Sequence, residues 1–118
     1  MLTTLFLVAL GGGIGAVLRY GVGLVAPFPF GTLAVNILGS FLMGLAFVAL
    51  TERGLERLTP FLMIGVFGGF TTFSAFSLDV FKLVDADRFV MAGGYILASV
   101  LLSVAALFLA IGLMRGLG

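Results

Sequence analysis

The chain has no cysteine, no histidine and no tryptophan, and only three prolines among its 118 residues. The first two absences exclude disulfides, thiolate metal sites, cysteine nucleophiles and imidazole general bases. Charge is scarce as well: 9% of residues are ionisable, and six Lys and Arg against five Asp and Glu leave a net charge of +1. That balance gives no electrostatic reason to bind nucleic acid. Hydrophobic residues make up 62% of the chain and its mean hydropathy is +1.34. An ordinary soluble domain lies far below this, so the composition is that of an integral membrane protein.

Four apolar windows, at about residues 2–25, 28–50, 58–81 and 89–114, use nearly all of the chain, the fourth helix being expected over about 87–114. Each meets the ~20 residues that a membrane-spanning helix requires. The first could pass for a signal peptide, but Arg19 and Tyr20 follow it with no small-residue cleavage site, so it reads as a retained helix. Pro27 and Pro29, the Glu52, Arg53, Glu56, Arg57 cluster, and Asp85, Asp87 and Arg88 mark short turns between the windows. Short connections force antiparallel neighbours, which predicts an all-α bundle of four transmembrane helices forming one transmembrane domain over residues 1–118.

Lys and Arg are balanced across this layout. Arg53, Arg57 and Arg115 fall on the side of both termini, and Arg19, Lys82 and Arg88 on the other. Orientation follows the Lys/Arg bias of short loops, so a balanced count predicts insertion either way up. Coexisting orientations lead to an antiparallel homodimer with its two-fold axis in the membrane plane.

The third window contains Gly68-Gly69-Phe70-Thr71-Thr72-Phe73-Ser74-Ala75-Phe76-Ser77. Paired glycines weaken a helix interior, and Thr and Ser offer the backbone other partners, so this segment predicts a helix broken at mid-membrane. Freed backbone is tolerated at that depth only where protein or a polar cavity satisfies it, which marks an ion or substrate site. Carbonyls freed around Gly68 to Thr71 are suited to a cation such as Na⁺.

Polar residues recur with helical spacing elsewhere. Thr32, Asn36 and Ser40 share one face of the second window, and Tyr95, Ser99 and Ser103 share one face of the fourth. Singly, a serine in a membrane helix often only stitches helices together. Asn36 is different, because an amide in hydrocarbon is costly unless both its ends are occupied. No carboxylate lies in the first, second or fourth window, and Asp79 sits towards the end of the third. A cation path or a proton-coupled carrier would ordinarily show acid at depth. Hydroxyl and amide donors, with the electropositive ring edges of Phe73 and Phe76, instead suit a small, strongly hydrated anion. Most of the thirteen Phe are filler or lipid contact, but these two lie three apart directly after the break. Gly11, Gly12, Gly13, Gly15 and Ala16, with Gly39 and Gly44, read as sites of close helix approach. Arg19 fits two roles: snorkelling to the interface, or capping helix ends as a positive vestibule.

The segments GGGIGAVLRY (11–20), GTLAVNILGSFLMG (31–44) and GGFTTFSAFS (68–77) resemble the three signature stretches of the Fluc, or CrcB, fluoride channels, in the same order along the chain. The resemblance implies an antiparallel, dual-topology homodimer with two pores, passing F⁻ passively and excluding Cl⁻, in a bacterial inner membrane. It implies Asn36 as the pore amide, Phe73 and Phe76 as the rings facing fluoride, and Thr32, Thr72, Ser74, Ser99, Ser103 and Tyr95 along the polar track. Arg19 would stand at the vestibule, and the carbonyls of Gly68 and Thr71 from each subunit would hold one Na⁺ at the dimer interface. Ala75 departs from the pattern, where many members carry Thr. A small dual-topology drug exporter is the nearest rival, but it depends on a glutamate in the first helix, which is lacking here. A membrane-embedded enzyme would need a nucleophile with an activating base, and none faces the Ser and Thr stripes. A purely structural subunit would not require a broken third helix.

Overall fold

The computed structural model describes residues 1–117 and is helical throughout. Helix α1 is Leu2–Val25 and α2 is Phe30–Ala46, the latter continued by a wider-wound segment, Phe47–Glu52. After a short turn, Glu56–Leu58 and the wide-wound Pro60–Phe67 lead into the three-residue helix α3, Gly68–Phe70. Helices α4, Phe73–Asp85, and α5, Phe89–Gly116, complete the chain. Together these make four spans long and apolar enough to cross a membrane: Leu2–Val25, Phe30–Glu52, Glu56–Asp85 and Phe89–Gly116.

The ends differ slightly from the apolar windows, for local reasons. Pro29 lacks an N–H and caps α2, so that helix starts at Phe30. The third span runs on to Asp85, because the polar residues of the last turn of α4 still wind as helix. It stops at a turn in which Asp87 adopts φ 58°, a left-handed conformation that Asp tolerates better than most residues. Gly54, at φ 81°, turns the chain between spans two and three, where a side chain would be strained.

Packing follows the small residues. α2 lies most extensively on α5, and α1 on the third span. A Cβ at Gly44 would come within 2.6 Å of the Leu107 carbonyl, so glycine lets α2 and α5 touch backbone to backbone. Gly11 lies against Phe61 and Gly65 in the same way, and Gly15 against Val66, Gly69 and Phe70. Of the glycines read as contact points, Gly12 and Gly13 differ: a Cβ on either meets open space. Gly13 falls on the outer face of α1, whereas the Gly12 backbone does approach the third span closely, under Gly69, and it is the glycine at 69 that makes the room. The largest side chains with essentially no exposed surface are Leu83, Val35 and Val48. A core of Phe76, Leu83, Ala92 and Tyr95 joins α4 to α5.

Candidate functional site

Thr71 (φ −85°, ψ 157°) and Thr72 (φ −153°, ψ 124°) are extended and separate α3 from α4. Extended residues drop out of the helical ladder, so their backbone groups need other partners. The Thr71 N–H still reaches the Phe67 carbonyl at 3.1 Å, and the Thr71 hydroxyl donates to that same oxygen at 3.1 Å. Arg19 Nε donates to the Gly69 carbonyl at 3.2 Å. Arg19 thus bonds a backbone carbonyl of the α3 turn. Asn36 exchanges two bonds with the Thr72 backbone. Thr72 then serves as N-cap of α4, its hydroxyl accepting the Ala75 N–H at 3.1 Å.

Gly39 sets how closely α2 approaches this segment. A Cβ there would collide with the Thr71 side chain and come within 3.2 Å of the Phe70 ring. Glycine thus seats the extended pair directly on α2, one turn from Asn36.

A groove of about 440 Å³ opens between α2, α5 and the start of α4. Its lining brings together Asn36, Thr71, Thr72, Phe73, Phe76, Ser99 and Ser103 from the residues expected at the site, and adds Ser40. No charged side chain lines it. The Phe73 and Phe76 ring centroids stand 5.3 Å apart with planes tilted by 55°. Phe76 is buried and Phe73 is 75% exposed, so one ring anchors and the other stands free. The Oγ atoms of Ser99 and Ser103 are buried beside the groove with no hydrogen-bond partner among the described residues. Such orphaned hydroxyls are rare in folded proteins and ask for a partner that the single chain does not supply.

Other expected residues lie beside the groove. The Tyr95 ring packs against Phe76, centroids 5.3 Å apart and planes tilted by 42°, and its hydroxyl donates to Asp79 Oδ2 at 2.9 Å, with the Thr32 hydroxyl close by. Ser74 is exposed at the start of α4, 3.3 Å from the Thr72 hydroxyl. Gly68 sits in α3, behind the extended pair. Asp79 is the residue that sequence reasoning passed over. It is buried directly behind Phe76. The available signal was its spacing: three residues after Phe76, it falls on the same inward face of α4.

A bundle of four helices long and apolar enough to cross a membrane, with a groove at mid-span where hydroxyls, an amide and two phenyl rings sit among Met43, Val100, Val104 and Leu107, defines a multi-pass membrane protein. Residues 6–112 match the family described as CrcB-like protein, Camphor Resistance (CrcB). A protein of Paracoccus denitrificans named fluoride-specific ion channel FluC is 48% identical, the match covering 97% of this chain and 96% of the relative. Relatives of that same name in Ruegeria sp. and Agrobacterium fabrum are 50% and 51% identical, with 100% and 94% of this chain and 98% and 95% of theirs covered. The chain belongs to the CrcB family.

Proposed function

We propose that the protein is a passive, highly selective fluoride channel and not an enzyme, which exports F⁻ across a bacterial inner membrane and so protects the cell from its toxicity. In this reading two copies pair antiparallel, each dimer carries two pores, and the extended pair Thr71 and Thr72 is a functional break in the third membrane helix. The observation that carries it is the pair of orphaned hydroxyls, Ser99 and Ser103, lying across an uncharged groove from Asn36, Phe73 and Phe76. Relatives of nearly equal length named as fluoride-specific channels support the choice of ion.

Fluoride holds its hydration shell tightly, so a pore must offer several donors at once to replace it. Hydroxyls can rotate their hydrogens towards an anion, and phenyl edges are electropositive. Without a fixed cation in the lining, no group holds the anion strongly enough to trap it. Larger halides bind water less tightly, gain less from such donors and fit a narrow bore less well.

A structural Na⁺ at the dimer interface belongs to the same proposal. Among the described residues no protein donor reaches the carbonyls of Gly68 or Thr71, whereas those of Phe67, Gly69 and Thr72 are each taken. Two free carbonyl oxygens per subunit fit a hard monovalent cation. When bound, the ion supplies fixed positive charge near the anion path. In the same reading Arg19, bonded at Gly69, is the vestibule cation.

The test is reconstitution in liposomes loaded with KF, following F⁻ release with a fluoride electrode after valinomycin, beside matched KCl liposomes. Rapid F⁻ release with negligible Cl⁻ release is expected. Absence of F⁻ release from folded protein would overturn the proposal.

A further inference from the structure

Asn36 is bound at both ends to a single residue. Its Nδ2 donates to the Thr72 carbonyl at 3.0 Å, and its Oδ1 accepts the Thr72 N–H at 2.8 Å. The two bonds form a side-chain imitation of a β bridge across 36 positions of sequence. They also fix which way the amide points, since a flipped amide would set oxygen against oxygen and N–H against N–H. Among the described residues the Thr72 peptide has no other hydrogen-bond partner. An unpaired peptide at this depth is costly, because no bulk water replaces the lost ladder.

The start of α4 depends on where Thr72 is placed. The Thr72 hydroxyl caps α4 through the Ala75 N–H, and the first turn of α4 carries Phe73 and Phe76. One turn along α2, Gly39 leaves room for Thr71 and Phe70 and for nothing larger. α2 thus meets the extended pair with a seat and a clamp, and the position of both rings is set from there. An asparagine has two N–H donors and an acceptor oxygen with two lone pairs; Thr72 uses one N–H and one lone pair, leaving a single N–H for the groove.

We infer that Asn36 is a positioning residue: by clamping the Thr72 peptide, it holds the extended pair in register with α2 and fixes the Phe73 and Phe76 rings at the groove. The clamp stands on hydrogen bonds alone, and only its consequence for flux rests on the fluoride-channel reading.

Two measurements test it. In the first, backbone hydrogen exchange of Asn36→Ala is compared with wild type in detergent without fluoride. Loss of both clamp bonds should speed exchange at least about tenfold at residues 72–75, while α1 and α5 stay unchanged. Wild-type exchange at 72–75 in the folded variant would overturn the clamp. The second keeps Asn36 and replaces the Thr72 peptide N–H by an ester oxygen, using the α-hydroxy analogue of threonine. Fluoride efflux should fall about tenfold, with a lower F⁻-to-Cl⁻ flux ratio, which loss of folded protein alone does not change. Wild-type efflux and ratio in the ester protein would show that Asn36 acts without its clamp, and would sink the inference. If wild type itself releases no F⁻, the channel reading fails, and the exchange comparison still decides the clamp.

Discussion

The Tyr95 hydroxyl donates to the Asp79 carboxylate at 2.9 Å, behind the Phe76 ring. This is the buried acid of the third span, and its donor comes from another helix. Removing the donor leaves the carboxylate unpaired in a buried place, which costs more than the bond itself contributes. Tyr95→Phe should therefore destabilise the protein by roughly 1.5–3 kcal/mol, measured as a lower thermal midpoint in detergent. Adding Asp79→Asn to Tyr95→Phe should recover part of that loss, since a neutral amide is cheaper to leave buried.

Asn36→Asp should abolish fluoride flux. The aspartate keeps an acceptor for the Thr72 N–H but sets a second oxygen against the Thr72 carbonyl and places negative charge in an anion path. Like-charge juxtaposition costs several kcal/mol, so a fall of roughly 100-fold or more in liposome efflux is expected. Robust flux would remove Asn36 from the pathway.

Phe76→Ile retains an apolar side chain but discards the ring edge and the tilted ring contact with Tyr95. Flux should drop at least tenfold, on the order of the loss from one donor. The folded protein should persist by size-exclusion chromatography, since reshaping a hydrophobic core residue costs only about 1–2 kcal/mol.

Ser99→Ala and Ser103→Ala separate function from stability. Among the described residues neither hydroxyl oxygen has a partner to lose, so the thermal midpoint should hold or rise slightly. Efflux should fall in both, because each removes a rotatable donor from the groove. A destabilised Ser99→Ala protein would mean that its oxygen has a partner within the assembly.

Gly15→Ala and Gly13→Ala form a matched pair on α1. A methyl at 15 would strike the Val66 carbonyl and the Phe70 N–H, whereas at 13 it meets nothing. Overpacking against backbone should cost about 1–3 kcal/mol at 15, while at 13 the better helix former should be neutral or mildly stabilising. Thermal unfolding of the two variants checks both.

The four spans were legible because length and apolarity alone specify them, and the shared groove face of Asn36, Ser99 and Ser103 because helical spacing puts polar residues on one side of a helix. The division of the freed carbonyls was not. Which oxygen goes to Arg19, which to Asn36 and which stays open depends on where α1 and α2 cross the third span, and those crossings are set by Gly11, Gly15 and Gly39 jointly. Tyr95 shows the limit of reading one helix at a time. Its spacing from Ser99 aligned it with the groove stripe, but Asp79, on a different helix, offers the stronger partner and takes its hydroxyl. Gly13 sits among contact glycines in sequence yet points outwards, because 3.6 residues per turn puts Gly11 and Gly15 on the inner face.

Helix α5 has 28 residues, about 42 Å at 1.5 Å per residue, against a hydrocarbon core of about 30 Å. Such a helix tilts, or lifts its final turns and Arg115 into the headgroup layer. Because α5 forms one wall of the groove and α2 the other, the angle at which lipid holds α5 bears directly on the width between them. Acyl-chain length is therefore expected to act on that width, and should change the proposed fluoride flux with no residue altered.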